Sequence, residues 1–151
     1  MNRVLSATEA RQAWADVLTH VLHNRHPIGI ERRGEFAFLL GGDELDTLLA
    51  DRTFSPEVFF ETDAVSVWLP ELALYGRGGT FEEACADLLD EVRDYVDEYV
   101  ADFELYRRSP NRAPHFGHVM RALVADAVGR LEDVVFATPA QGAAAEPVAA
   151  A

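Results

Sequence analysis

The chain has 151 residues, a formal net charge of −13 at pH 7 and a single cysteine, Cys85. This length allows one large domain or two small ones, and one cysteine excludes an internal disulfide. No apolar run reaches the roughly 18 residues that span a bilayer, and the N-terminus lacks the apolar stretch of a signal peptide. We therefore expect a folded cytoplasmic protein without a membrane partner.

All 13 basic residues are arginines, and charge is distributed unevenly along the chain. Residues 1–56 carry 6 arginines and 8 acids, which gives a net charge of −2. Residues 57–108 carry 4 arginines and 14 acids, which gives −10. An acidic block usually forms a solvated face, and it can also attract a basic partner.

The pattern of residues 1–51 predicts the element order β-α-β-β-α. A short strand at residues 2–6 leads into one continuous helix, "SATEARQAWADVLTHVL", whose apolar residues recur on a single face that includes Trp14. Ser6 and Glu9 have the three-residue spacing of a capping box at its start. The helix therefore begins at a defined residue and turns one apolar face inward.

Two strands and a tight turn are predicted in "PIGIERRGEFAFLL", because apolar residues alternate on both sides of Arg32, Arg33 and Gly34. Gly34 supplies the positive φ that the turn needs. Asp43 is then predicted to cap a short helix. The apolar surface of this unit is large for about 50 residues, so we expect a homodimer.

A second unit follows the first. Residues 52–56 contain a serine and a proline and are predicted to form a linker. Residues 57–136 predict three short strands and a long helix that covers one face of their sheet, followed by a continuous helix over 115–136. The low-complexity segment 137–151 is expected to be disordered. The predicted fold class is α+β.

Three features invite a chemical interpretation, and each also has a simpler structural one. "GRGGT" precedes a helix that Thr80 and Glu83 begin as a second capping box, so it reads as a loop, although such a loop can cradle phosphate. His20 and His23 share a helical face that could ligate metal, but no cysteine lies nearby. The acids of residues 82–98 have no nucleophile or metal partner in the pattern. We expect no catalytic residue, no metal site and no cofactor.

Four arginines are candidates for a different role. Arg3 precedes the first strand, Arg11 lies early in the first helix, and Arg32 and Arg33 lie in the hairpin. Arginine makes bidentate contacts with phosphate and guanine, and a dimer would double these positions to suit a palindromic duplex. They are therefore candidate DNA-binding residues, with exposed solubilising arginines as the alternative.

Three motifs, "SATEAR", "PIGIERRG" and "LLGGDELDTLL", follow one another in the first 51 residues. In order and spacing they resemble the N-terminal domain of the Phd/YefM antitoxins. The resemblance implies a dimeric DNA-binding domain that represses its own toxin–antitoxin operon. It also implies that Arg11 and Arg32 occupy positions associated with DNA contact, with Arg33 adjacent.

In the second unit, a strand ends in "PEL" and is followed by "GGTFEEA" and a long helix. Residues 65–99 are thereby similar to the HicB-like antitoxin domain, which implies a fold like a degraded RNase H core. No catalytic acid set is recognisable, so no activity is carried over. Phd/YefM antitoxins usually neutralise toxin with a disordered C-terminal segment, whereas here a folded domain occupies that place.

The sequence thus predicts an antitoxin of a type II toxin–antitoxin pair and not an enzyme. Residues 1–51 would dimerise and bind operator DNA, and residues 57–136 would bind the toxin. The acidic block favours a basic RNase as that toxin, since such toxins must bind RNA phosphate. Two alternatives are a dimeric protein-binding module without DNA binding and a hydrolase that uses the acids of the second unit.

Overall fold

The computed structural model describes residues 3–137. The chain divides into two compact units, with the boundary between Ala50 and Asp51. Within the described residues there are two three-stranded sheets and seven α-helices, so the α+β class is confirmed. No helix in that range is both long and apolar enough to cross a bilayer. The disordered tail predicted from residue 137 onward lies, apart from that residue, outside the described part.

The first unit contains three strands and three helices, in the order β-α-α-β-β-α. They are β1 (Val4–Ser6), α1 (Ala7–Gln12), α2 (Trp14–Asn24), β2 (Ile28–Arg32), β3 (Glu35–Leu39) and α3 (Gly42–Leu49).

The single first helix predicted from the sequence is wrong, because the helix is interrupted at Ala13. This residue has φ −107° and ψ 28°, outside the helical range. The interruption changes the direction of the apolar residues, so α1 buries Ala10 while α2 buries Val17 and Val21. Trp14, predicted to face inward, is 47% exposed.

The first sheet has the order β1-β2-β3, with β1 parallel and β3 antiparallel to the central β2. Its inner face packs against α2, where Ile28 meets Val17 and Val21. Leu5 and Leu39 pack against this cluster from the neighbouring strands. So small a core is typical of a unit that gains stability from a partner.

The second unit has its own sheet and four helices in the described residues. Its elements are β4 (Glu57–Phe60), β5 (Val65–Leu69), β6 (Leu74–Gly78), α4 (Phe81–Ala101), α5 (Phe103–Arg108), a 3₁₀ turn (Ala113–His115), α6 (Phe116–Ala127) and α7 (Leu131–Val135).

The long helix α4 covers one face of the antiparallel sheet β4-β5-β6. Val65, Val67 and Leu69 alternate inward along β5, as their spacing predicts. They join Leu88 and Val92 of α4 in a single core, to which α6 and α7 also contribute. The core of the second unit is therefore much larger than that of the first.

The predicted loop "GRGGT" is a loop only in part, since Gly76 and Gly78 lie in β6. A Cβ built on Gly76 would come 2.2 Å from the carbonyl oxygen of Ala84, and one on Gly78 would come 2.7 Å from the Ala84 nitrogen. Strand β6 thus lies directly against the backbone of α4. The glycines are required by this close approach and not by turn geometry.

Residues 52–56, predicted to form a linker, belong to the second compact unit. Phe54 is 4% exposed and lies in the core of that unit. The ring of His118 contacts it edge-on, with centroids 5.3 Å apart, and His118 Nε2 lies 3.0 Å from the carbonyl oxygen of Thr53. One aromatic residue therefore fixes this segment onto α6.

The continuous helix predicted over 115–136 is also wrong, because Gly129 divides it into α6 and α7. Gly129 has φ 71°, in the left-handed region. The N–H of Arg130 donates to the carbonyl oxygen of Ala125 at 2.8 Å, and that of Gly129 donates to Asp126 at 2.9 Å. This is the Schellman pattern that ends helices at glycine. Gly129 was the sequence signal for this break.

Candidate functional site

The hairpin of the first unit ends in a turn made by Arg33 and Gly34. Their φ angles are 54° and 83°, so both central residues are left-handed, as in a type I′ turn. Arg32 lies one residue earlier, at the end of β2, opposite Glu35. The N–H of Gly34 donates to the carboxylate of Glu31. The turn therefore holds two adjacent arginines in different conformations at the tip of the hairpin.

Arg11 lies on the same side of the first sheet as Arg32. With Trp14 of α2 and Ile30 of β2, it lines a cavity of about 360 Å³ between α1 and the sheet. Ile30 and Arg32 are two residues apart on one strand, so they point to the same face. The structure thus places Arg11 and Arg32 on the same face of the first sheet, with Arg33 at the adjacent hairpin tip.

Arg3 lies towards the other end of the sheet. The register places Val4 beside Gly29, and the carbonyl oxygen of Arg3 accepts the Gly29 N–H at 2.8 Å. Arg3 is thus level with the start of β2, about four residues or 13 Å from Arg32 along the strand. It does not join the other three arginines within one protomer.

The four arginines are exposed and form no ion pair with an acidic side chain among residues 3–137. Even Glu35, the cross-strand neighbour of Arg32, makes no such pair. Other arginines differ: Arg25 pairs with Glu44 at 3.6 Å, and Arg93 pairs with Asp126 at 3.0 Å. The candidate residues therefore present uncompensated positive charge in a chain of net charge −13.

The opposite face of the first sheet is apolar and open. Val4, Phe36 and Phe38 point away from α2 and are 45%, 60% and 71% exposed. Gly29 lies between them, since a Cβ there would meet Phe38 Cε1 and Val4 Cγ2, each at 3.3 Å. We call these four residues the apolar face. A patch of this kind on so small a unit marks a contact surface.

The start of α4 is closed by its own capping box, as predicted. Thr80 accepts the N–H of Glu83, while the Glu83 carboxylate accepts the N–H groups of Thr80 and Gly79 at 3.2 and 2.8 Å. The N–H groups of Gly79 and Thr80 are thus already occupied by a carboxylate, and that of Glu83 by a hydroxyl group. The first capping box, between Ser6 and Glu9, is confirmed in the same way, and its hydrogen bonds lower the pKa of Glu9.

His20 and His115 each make a local contact with a neighbouring polar side chain. His20 Nδ1 lies 3.0 Å from the side-chain amide of Asn24, and His115 Nδ1 lies 2.7 Å from the Tyr95 hydroxyl. Within the described range, no group of three or more His, Cys, Asp or Glu side chains is placed to hold a metal ion. Burial, together with Glu132 and Glu82, raises the pKa of the half-buried Cys85 thiol.

His115 gives the second unit a predicted pH dependence. Burial lowers its pKa below the ordinary 6.5, with smaller effects from Arg112 and His118. The folded state thus binds fewer protons than the unfolded state at pH values near and below 6.5. The free energy of unfolding should therefore be highest above pH 6.5 and should decrease as the pH is lowered further. Urea denaturation between pH 7.5 and 5.5 measures this loss. His115→Gln should flatten the profile, and equal slopes for both proteins would contradict the assignment.

Comparison with known proteins assigns the chain to a family. A family model described as the antitoxin of a RelE/RelB toxin–antitoxin system, and called PHD-like, matches residues 1–137. The chain belongs to this family of antitoxins, which is not a class of enzymes, and an antitoxin implies a toxin partner. No curated protein sequence matches it.

A solved structure has a similar fold. It comes from Syntrophomonas wolfei subsp. wolfei and is described as the antitoxin part of a proposed toxin/antitoxin system. The TM-score is 0.67 at 20% identity, and the match covers 88% of this chain and 96% of the other. At this identity the likeness concerns the fold alone.

Proposed function

We propose that this antitoxin neutralises its toxin by direct binding and represses its own operon in the cytoplasm by binding operator DNA as a homodimer. The observation that supports the DNA role is that Arg11 and Arg32 share one face of the first sheet, with Arg33 at the adjacent hairpin tip, and that none of the three forms an ion pair among residues 3–137. Exposed arginines free of ion pairs are available for phosphate and base edges. Arg3, at the other end of the sheet, is a fourth proposed contact.

The two proposed functions are assigned to different units. A Phd/YefM-like first unit would dimerise and bind DNA, and a HicB-like second unit would bind the toxin. The contrast in charge supports this assignment, since residues 1–56 carry −2 and residues 57–108 carry −10. An acidic surface repels DNA, whereas the same surface attracts a basic protein.

The arginine at the hairpin tip supports the same proposal. Arg33 is held at φ 54°, where a β-carbon costs roughly 1–2 kcal/mol relative to glycine. Asparagine or glycine would satisfy the type I′ turn at lower cost. An arginine in this conformation places an exposed guanidinium at the tip of the hairpin, which suits insertion into a groove.

The apolar face supports the homodimer. Two copies that pack this face together would cover Phe36 and Phe38 and leave the arginines of each copy accessible, because Arg11 and Arg32 lie on the helix side of the sheet. A two-fold axis would then present two equivalent arginine groups. Palindromic operators are recognised by such pairs.

Phe38→Asp should convert the dimer to a monomer. It places a charge in the centre of the apolar face, where it would be buried without a partner. Light scattering after size exclusion should show half the wild-type mass. Leu22→Asp is the matched control: it is 59% exposed on α2, on the other side of the sheet, and should keep the wild-type mass. A monomeric wild type, or a Phe38→Asp dimer, contradicts the assignment.

The toxin is proposed to be a basic RNase. An RNase must bind RNA phosphate with positive side chains, and those side chains complement the acidic second unit. Mixing the antitoxin with the purified product of the adjacent reading frame should give one complex by size exclusion. Separate elution of the two proteins at low salt would count against direct neutralisation.

A further inference from the structure

The outer face of the second sheet is not covered by α4. Phe59, Trp68 and Tyr75 point away from the helix, one from each strand. Phe59 and Tyr75 are 47% and 58% exposed, and the rings of Trp68 and Tyr75 lie 4.3 Å apart between centroids. We call these three residues the aromatic face. Exposed aromatic side chains of this kind are typical of protein interfaces.

The aromatic face adjoins a free sheet edge. β4 pairs with β5 only, so its other side is open in the described part of the chain. The N–H of Glu61 donates to Ala64 at 2.9 Å where the hairpin closes. Because hydrogen-bonded and non-bonded pairs alternate in an antiparallel ladder, Val58 and Phe60 direct their backbone N–H and C=O groups outward.

The middle of this edge lacks the usual protection against pairing. Exposed edges normally carry charges, proline or bulges. Here Pro56 and Glu57 stand only at the start of β4, and Val58, Phe59 and Phe60 then follow in succession. Phe60 is 76% exposed and points to the face opposite Phe59. The side chains of an added strand would point alternately to the two faces of the sheet. They would therefore cover both Phe59 and Phe60. A cavity of about 570 Å³ beside the edge is lined by Phe59, Phe60, Glu61, Ser66, Tyr75 and Arg77.

The charge around the edge selects the partner. Glu57 and Glu61 flank the open strand, and Glu61 is compensated by Arg77 at 3.2 Å while Glu57 forms no ion pair among residues 3–137. Pairing two copies of this edge would bring together two segments that each carry −10. Such self-association is opposed by charge, and a basic segment is favoured.

We propose that β4 and the aromatic face form the toxin-docking surface, and that a basic extended segment of the toxin adds to β4 as a fourth strand. Main-chain hydrogen bonds to Val58 and Phe60 would supply affinity, and Glu57 would select basic side chains. This inference rests on the proposed function, namely direct binding of a basic toxin.

Charge reversal tests the position of the surface. The variant Glu57→Arg/Glu61→Arg should weaken binding to the purified product of the adjacent reading frame by about 100-fold, since like charges would face each other. The variant Glu91→Arg/Asp94→Arg changes net charge equally on the exposed face of α4 and should change affinity by less than about threefold. Titration calorimetry at one salt concentration measures both. Equal losses would overturn the docking surface and leave only attraction by overall charge.

Proline tests strand addition itself. Val58→Pro removes an outward N–H without breaking the ladder to β5, so it should weaken binding about tenfold at unchanged melting temperature. Val58→Thr keeps the N–H and should bind as wild type. If Val58→Pro binds the toxin with wild-type affinity, strand addition is wrong. If Val58→Pro instead halves the antitoxin's own mass, the edge pairs with a second copy and the proposal is wrong. If wild type binds no neighbouring product, direct neutralisation fails as well.

Discussion

Arg11→Ala and Arg32→Ala are each expected to weaken operator binding and to reduce its salt dependence. Each substitution removes a phosphate contact from both protomers of a dimer. At about 0.9 in slope per contact, the plot of log affinity against log salt concentration should flatten by roughly 1.8 for each variant. Fluorescence anisotropy with the upstream DNA of the operon, at four or more salt concentrations, measures the slope. The mass of the dimer should not change.

The matched control for this experiment is Arg107→Ala. Arg107 lies in α5 of the second unit and is exposed, and its guanidinium carbon lies 6.0 Å from the centroid of the Phe103 ring. Arg107→Ala removes the same charge as Arg11→Ala. If Arg11 contacts DNA directly, the salt-dependence slope of Arg107→Ala should equal that of the wild type. A slope reduced as much as in Arg11→Ala would mean that overall charge, and not the arginine group, sets affinity. A wild type that binds no upstream DNA at low salt would favour the dimeric protein-binding module instead.

Gly76→Ala is expected to lower the free energy of unfolding of the second unit by about 3 kcal/mol or more. A Cβ at this position would lie 2.2 Å from the carbonyl oxygen of Ala84 and 2.5 Å from the backbone nitrogen of Leu88. These are backbone atoms within α4, so they cannot rotate away as a side chain can. Either β6 separates from the helix or the core around Leu88 opens. Urea denaturation followed by circular dichroism measures the loss.

Gly79→Ala provides the comparison within the same segment. A Cβ there would lie 3.2 Å from the Glu83 carboxylate oxygen, which belongs to a side chain and not to the backbone of α4. We expect a change within about 1 kcal/mol. If both variants lose the same stability, the cost lies in the general loss of glycine and not in the close approach of β6 to α4. Toxin binding by Gly79→Ala should match wild type.

Local chemistry was readable from the sequence. Both capping boxes, Ser6 with Glu9 and Thr80 with Glu83, form as their spacing predicts, because a cap depends on residues only three apart. The inward alternation of β5 was equally readable, since a period of two defines the buried face of a strand. The α+β class follows from these elements.

The interruptions of the helices were less readable, and for a different reason. Apolar periodicity continues across Ala13 and across Gly129, so pattern alone joined α1 to α2 and α6 to α7. In the second case the glycine gave a signal, since it is the residue that most often ends a helix in the left-handed conformation. In the first case no residue type marks the interruption.

The candidate site also combines features that the sequence predicts with features that it does not. The sequence singled out four arginines, and their roles in DNA binding stay predictions. What it could not provide was their arrangement. The parallel pairing of β1 with β2 separates Arg3 from Arg32, while the return of α1 over the sheet brings Arg11 close to Ile30, on the face that also carries Arg32. The sequence also assigned the positive φ of the turn to Gly34 alone, whereas Arg33 shares it.

By itself, the sequence determined the starts of α1 and α4, the buried face of β5 and the concentration of acids in the second unit, because each depends on residues close together in the chain. Asp43, predicted as a cap, instead lies in the first turn of α3, and Gly41 is the N-cap. The tertiary structure alone decided why Gly76 is a glycine, where Phe54 is buried and which arginines share a face of the first sheet. Those features depend on how closely separate elements approach, and a strand that touches a helix backbone leaves no periodic mark in the sequence.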